Sequence, residues 1–471
     1  MQVPIIHGIG ADSAGEFRTS YPTNLIPVPK AQGISNGYLR PAEGIDQIGA
    51  GPGADRGGIN WNGTHYRVMG SKLCSVTKAG AVTVLGDVGS GGDVTMDYGF
   101  GRLAIASGGH LYYWDGSSLS MVTDADLGTV VDLRWIAGYY MTTDGTSLIV
   151  TELSDPMAVN PLKYGSAESD PDPIKAVDEL RNEAYAFGRY TVEVFQNVGG
   201  ANFPFQRVDG AQVAKGIIGT HMYCSLGNTF AFTGSGRGEA PGVYMMVPGD
   251  VQKISTREID RILSDYSEDV LAQCSMECRV DLNHQTVYIN LPDQTLAFDT
   301  MGSKAVDELM WYRLSSGVNN LAQYKGQGLV WCYDQWNVAD PVSGAIGVLS
   351  DSTGDHFGQA VGWQFDTQIM YADGNAAILH EIEMVALSGR VKADADPVVF
   401  TSYSTDGETW SQERPAYAGK QGQRNKRICW RSQGKVNPWR IQRFRGTSDA
   451  HLSIARLEVQ VEPLFTRPGG G

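Results

Sequence analysis

Six cysteines and eight histidines are the residues from which this chain would have to build a metal site or thiol chemistry. Cys74, Cys224, Cys274, Cys278, Cys332 and Cys429 are scattered through 471 residues, which argues against a disulfide framework and for free, buried thiols made in a reducing cytosol. Cys274 and Cys278 would share one face of a helix, but no second Cys or His pair follows at zinc-site spacing, so a structural role is expected and no metal or other cofactor. His7, His65, His110, His221, His284, His356, His380 and His451 include no pair at i, i+4, and each reads as a surface or hydrogen-bonded residue rather than a ligand or base.

The commoner catalytic motifs are absent. No Gly-x4-Gly-Lys-Ser/Thr loop or His-Glu-x2-His pair occurs. The runs GDVGSGG and GSGRGEAPG lack a following helix and a phosphate-binding lysine, so they read as hairpin loops. Asp394 and Asp396 in KADADP lack the glycine and terminal glutamate of a calcium loop and read as a turn. In STDGETWS, Ser404, Asp406, Thr409 and Trp410 resemble in kind the Asp-box of sialidase-like propellers, but Gly407 falls one residue short. A structural hairpin is the expectation there.

Charge leaves one feature to explain. The net charge of −15 excludes a protein whose whole surface grips phosphate. Between Ser411 and Gln460, however, eleven Lys or Arg face only three acids. Lys420, Arg424, Lys426, Arg427, Arg431, Arg443 and Arg445 are therefore candidate interface residues for an acidic partner or DNA; the competing reading is an ordinary set of solvated strand faces.

The elements that must carry these residues are mostly strands. With 58 glycines, 10% aromatic and only 19% charged residues, the composition fits many short strands joined by tight turns, an all-β chain. Apolar strand, Gly or Asp-Gly turn and second strand recur in YRVMGSKLCSV, LAIASGGHLYYWDG, YYMTTDGTSLIV, AYAFGRYTVEVF, TFAFTGSGRGEAPGVYMM, TVYINLPDQTLAF and LVWCYDQ. Seven hairpins between Trp61 and Ser350 have the spacing of four-stranded blades, so the expectation is a β-propeller of six or seven blades. Unrelated meanders or stacked sandwiches are the alternative.

Residues 1–59, rich in Pro and Gly, are expected to form an extended arm over the surface or to lend a strand that closes a blade. Residues 60–358 form the propeller and 359–471 a small β-sandwich, with Asp406-Gly407 as a hairpin turn and TRPGGG as a frayed tail. The acidic, Pro-punctuated stretch 166–180 reads as a solvated connection between blades. No basic leader precedes an apolar stretch, and no apolar run approaches the roughly 18 residues that span a bilayer, so a soluble, unprocessed chain without membrane insertion is expected.

A helical insert, residues 255–278, interrupts the repeats. Ser255 and Glu258 have the spacing of a capping box. Ile259, Ile262, Leu263 and Tyr266 then fall on one apolar stripe, with Arg257 and Arg261 facing away, and Ser267 before Glu268 and Asp269 offers a second cap. The expectation is two short helices with a bend. So short a stripe must pack on something, with its own propeller favoured over a neighbouring subunit. Arg257, Ile259, Ile262, Leu263 and Tyr266 are the second group of candidate interface residues.

Around this insert, the order from Lys215-Gly216-Ile217 through Ala240–Tyr244 to Ile259–Tyr266 resembles the packaged-DNA stabilisation proteins of short-tailed phages, also called tail accessory factors, tail hub or nozzle proteins. Gly37-Tyr38-Leu39-Arg40 with Gly44-Ile45, Tyr66-Arg67-Val68 with Lys72-Leu73, and Gly86-Asp87-Val88 match in the same order. The likeness covers nearly the whole chain. It is strongest from about 208 to 266 and weakest through 300 to 400, and FTRPGGG lies outside the pattern.

The resemblance implies a virion component, synthesised in the host bacterial cytoplasm, with no enzymatic activity. A hexameric ring below portal or adaptor proteins would prolong the DNA channel, retain the genome and anchor the tail needle and tailspike or fibre proteins. Double-stranded DNA would pass without sequence recognition. A propeller's own channel is too narrow for a duplex, so the passage would lie within a closed ring of subunits, with an acidic lining that lets DNA slide and the 411–460 patch turned to a partner ring. The competing functional class is a carbohydrate-binding or glycan-cleaving propeller.

Overall fold

A computed structural model of the chain describes residues 2–3, 5, 22–30, 37–153, 155–167, 171–282, 284–371, 376–389, 391 and 395–464. Strands dominate because apolar and β-branched residues alternate between tight turns, many with a residue at positive φ. Asn62, Phe100, Ala137, Asn182, Leu282 and Tyr333 all take positive φ between the first and second strands of a blade.

Among the described residues, seven sheets of four or five antiparallel strands follow one another in sequence, which makes the propeller seven-bladed. Their first strands are Asp55–Trp61, Thr95–Gly99, Asp132–Ile136, Ile174–Leu180, Gly216–Ile217 with Tyr223–Leu226, Ser275–Asp281 and Gln327–Cys332. The core is not one mass but seven layers, each filled from two neighbouring blades. The layer between blades one and two, for example, holds Val68, Leu73, Leu103 and Ile105, and that between blades four and five holds Phe187, Phe230 and Phe232. This is how a sheet whose two faces are both apolar buries them both.

Of the two expectations for the first segment, its described residues follow the one in which it lends a strand that closes a blade. Gly44–Ala50 forms the outermost strand of the seventh blade, pairing from Ala345↔Ala50 to Ser350↔Gly44, so the chain closes its propeller with its own N-terminal region. Gly49 sits there against the first blade, where an added Cβ would lie 2.1 Å from the Gly80 carbonyl oxygen. Asp55–Trp61 already belongs to blade one, while Gln2–Val3, Leu25–Pro29 and Gly37–Pro41 join a sheet of the second domain.

That second domain is a sandwich of two sheets. One orders Leu25–Pro29, Gly37–Pro41, Ile454–Leu464, Ala376–Ala386 and Ile428–Val436; the other orders Gly362–Asp366, Trp439–Thr447, Val398–Ser404 and Arg414–Tyr417. Phe365, Trp430, Phe444, Ile382 and Leu457 fill the space between them. Asn24 ties the domains together: its Nδ2 donates to the carbonyls of Ser315 (2.8 Å) and Gly362 (2.7 Å), and its Oδ1 accepts from the Ser315 amide (3.0 Å). Its φ of 54° is one that asparagine tolerates better than most residues.

The insert is two helices, Arg257–Ser264 and Glu268–Leu271, and it ends earlier than residue 278, since Ser275–Asp281 is the first strand of blade six. The N-cap is Thr256, whose Oγ1 accepts from the Ile259 amide, and not Ser255. Ser255 is occupied elsewhere: its Oγ accepts from the Val243 amide (3.0 Å) and donates to Asp260 (2.6 Å). The second cap is Ser267, as the sequence indicates. A further helix, Thr300–Val306, capped by Asp299, lies inside blade six, where the sequence shows no amphipathic stripe to announce it.

Candidate interfaces and the propeller channel

The apolar stripe of the insert turns inward. Ile259 and Leu263 are fully buried between blades five and six among Met222, Val243, Val287 and Trp311. Ile262 and Tyr266 are half-buried at the rim of the same layer. The Tyr266 hydroxyl donates to Asp293 and accepts from Gln294 Nε2 (3.2 Å), fastening the helix end to a turn of blade six. Partial burial, then the hydrogen bond to Asp293, push the phenol up to about 12. Arg257 and Arg261 remain exposed, while Asp260 is held by Lys253 at 2.6 Å.

The basic residues of the sandwich separate into two groups. Arg427 reaches Glu381 (2.8 Å) and Glu383 (2.6 Å), and Arg431 reaches Glu381 (3.1 Å) across paired strands. Arg443 forms a bidentate pair with Asp366 at 2.8 Å and lies 3.5 Å over the ring of Trp410. Arg445 pairs with Glu413 and donates to Asn319 of the propeller (2.8 Å). Each of these four arginines has a carboxylate partner within its own domain. Lys420, Arg424 and Lys426 project from the exposed loop between Arg414–Tyr417 and Ile428–Val436. Among the described residues, Lys420 meets Asp396 at 3.9 Å, and Arg424 and Lys426 have no acidic partner.

At domain level the asymmetry is plain. Residues 359–471 carry 14 basic and 12 acidic residues, net +2, and the propeller stretch 44–358 carries 20 and 37, net −17.

The propeller axis encloses a cavity of about 340 Å³, walled by first strands from all seven blades. Within it, Arg134 pairs with Asp178 at 2.6 Å. Asp132 accepts from Thr95 Oγ1 (2.5 Å) and the Val177 amide (2.9 Å), and burial pushes its carboxyl up to about 6. Burial likewise pushes Asp93 up to about 6, helped by the nearby Asp55 and opposed by Arg56. The Arg56 guanidinium is spent on the carbonyls of Gly70, Gly89 and Gly92 and on Ser107. Glu277 accepts from the amides of Gly328 and Leu329 and from Asn290. Most of these charges thus serve to pin blade to blade, a network that sequence reading missed because its members lie a blade apart in sequence.

A cavity of about 340 Å³ has no room for a duplex whose major groove alone is about 12 Å wide.

Other sequence candidates resolve simply. Asp406 accepts from the amides of Glu408 (2.9 Å) and Thr409 (2.8 Å) and from the hydroxyls of Ser404 and Thr409, which hold its carboxyl well below the usual range; STDGETWS is a structural turn. Asp394, His7 and the TRPGGG tail fall outside the described residues. Among the described residues no cluster of three or more His, Cys, Asp or Glu could hold a metal ion, and no helix is long and apolar enough to cross a membrane.

Comparison with known proteins adds two domain matches. Residues 1–354 match the model described as bacteriophage P22 Gp10, beta-propeller, and residues 362–462 that described as bacteriophage P22 Gp10, beta-sandwich. Among curated proteins, the tail hub protein gp10 of Salmonella phage P22 is 26% identical over 483 residues, covering 98% of this chain and 99% of the relative. Solved structures include the N-terminal domain of Nup159, at TM-score 0.40 and 9% identity over 70% of this chain and 99% of that one. The Neurospora crassa Pan2 WD40 domain gives 0.43 and 9% over 65% and 95%. Likeness that distant carries no functional argument.

Proposed function

Because the chain belongs to the bacteriophage P22 Gp10 family, we propose that it is a structural subunit of a phage tail hub. The observation that carries this reading is the end-to-end match, both domains in order and nearly the full length of a tail hub protein. A structural, non-enzymatic virion role agrees with the channel, where Arg134, Asp178, Asp132 and Glu277 are engaged in holding blades together.

In this reading six copies close a ring below the portal or adaptor proteins, and the genome passes between subunits, because the 340 Å³ propeller cavity cannot admit it. The ring retains the packaged DNA and offers attachment for a tail needle and tailspikes or fibres. Charge supports an acidic lumen formed by the propellers, whose stretch of the chain carries net −17 and would repel phosphate and let it slide. The sandwich, with Lys420, Arg424 and Lys426 on one exposed loop, suits an acidic patch on a partner ring.

Cryo-EM of the assembled tail tests this directly. A ring of six around a lumen of negative potential is expected; a chain absent from the particle, or a strongly basic lumen, overturns it. In purified components, the triple variant K420E/R424E/K426E is expected to form the ring yet lose attachment to the neighbouring ring. Undiminished attachment would remove the loop from that role.

A further inference from the structure

Cys224 and Cys278 stand apart from the other thiols. Cys224 lies on the first strand of blade five, opposite Ala231, and Cys278 on the first strand of blade six, opposite Val287. Both line the axial cavity and both pack in the layer between those two blades. Cys278 Sγ donates to the carbonyl of Ser225, the residue next to Cys224, at 2.6 Å, which sets the two cysteines side by side across the junction of the two blades. All six cysteines are free thiols.

We propose that Cys224 and Cys278 are a redox-responsive pair, closed to a disulfide across the blade five–blade six junction by a small disulfide oxidant that enters the axial cavity.

Geometry selects this pair over the one suggested by sequence spacing. Cys274 lies four residues before Cys278 on nearly extended chain, roughly 13 Å away at about 3.3 Å per residue, whereas disulfides join Cα atoms within about 7 Å. The Cys274 thiol is also turned back to the Val270 carbonyl at 3.3 Å. Cys278 is the more accessible member and the one whose thiol is lowered, by its contact with Cys224, whereas Cys224 is raised by the same contact and by burial.

The exchange balances with a glutathione-type disulfide, RSSR. The Cys278 thiolate attacks one sulfur, forming Cys278–S–SR and releasing RS⁻, which takes up the proton that Cys278 gave away. The Cys224 thiol then loses its proton and attacks the Cys278 sulfur, expelling the second RS⁻, which takes up that proton. Two protein thiols are oxidised and one RSSR is reduced to two RSH. The product joins two blades through a loop of more than fifty residues, so it raises the unfolding midpoint.

The test is made on the folded, full-length protein. It is incubated with oxidised glutathione, quenched with acid, then unfolded, alkylated and mapped without reductant. The expected result is a cross-linked peptide pair containing Cys224 and Cys278, lighter by two hydrogens, with four alkylatable thiols remaining, a raised unfolding midpoint, and reversal by dithiothreitol. Cys224→Ser is expected to leave a stable glutathione adduct on Cys278. Six alkylatable thiols after incubation, an adduct on wild-type Cys278 with no cross-link, or a cross-link between other cysteines each overturns the proposal. The wild-type measurement stands even if the variant does not fold.

Discussion

At the scale of single residues, the buried charges act as local fixings. Arg67, fully buried, makes a bidentate pair with Asp55 at 2.8 and 2.7 Å and also donates to the Gly328 carbonyl, linking blades one and seven. His65 lies beside it with Nε2 3.2 Å from Arg67 Nη1, so that nitrogen must accept and the ring must be neutral. Burial, then the Arg67 charge, push His65 down to about 2. A folded-state value below the ordinary 6.5 means that unfolding takes up a proton at acidic pH. The stability from a neutral His65 is therefore fully present above about 6.5 and is lost as the pH falls toward 2. Replacing His65 with Gln removes that proton uptake. The stability gap between wild type and His65→Gln is expected to shrink by about 2 kcal/mol between pH 7.5 and 5 in urea unfolding, at about 1.4 kcal/mol per pH unit. An equal gap at both pH values would refute the assignment.

At the scale of elements, the insert is a part of the propeller that happens to be helical. Its stripe is too short to be stable alone, and the layer between blades five and six supplies the missing contacts. Trp311 illustrates the fit: its indole donates to the Ile254 carbonyl at 2.9 Å, just before the helix begins. Leu263→Ala is accordingly expected to destabilise the subunit itself by about 2–5 kcal/mol, with Ile262→Ala costing less and Arg261→Ala less than about 0.5 kcal/mol. Equilibrium unfolding in urea reads all three. A fully stable Leu263→Ala subunit that fails only to assemble would instead place the stripe between subunits. The helix was legible because capping and periodicity are local signals, although the cap itself slipped by one residue. Ser255 and Thr256 are both good caps, and only the position of the Val243 amide decides that Ser255 is used elsewhere.

At the scale of the molecule, closure is the decisive device. A seven-bladed ring sealed by consecutive strands alone would leave the outer edge of blade seven open to pair with another chain. Gly44–Ala50 covers it, and the strands just before it anchor the sandwich. Two truncations should therefore differ. Removing residues 1–50 strips the closing strand and is expected to give aggregation and no cooperative unfolding. Removing residues 1–43 keeps that strand and is expected to leave a closed propeller with a protease-sensitive sandwich. Size-exclusion chromatography and limited proteolysis distinguish these outcomes, and identical behaviour of the two would refute the division of labour.

The sequence by itself determined the all-β class, the hairpin rhythm, the two-domain order and the helical character of the insert, because strand alternation, turn chemistry and capping are written within ten or twenty residues. It also carried the family likeness, in short motifs whose order survives along the chain. What only the tertiary structure decided are the contacts made across hundreds of positions. Seven blades rather than six follows from the seven successive sheets, the last completed by Gly44–Ala50 pairing with Ala345–Ser350. The pairing of Arg427, Arg431 and Arg443 follows from Glu381, Glu383 and Asp366, which lie outside the window where the excess was counted. Cys224 and Cys278 become neighbours only because adjacent blades bring their first strands together at the axis. Charge and reactivity depend on distance in space, and in a propeller the nearest partner of a residue is usually one blade away.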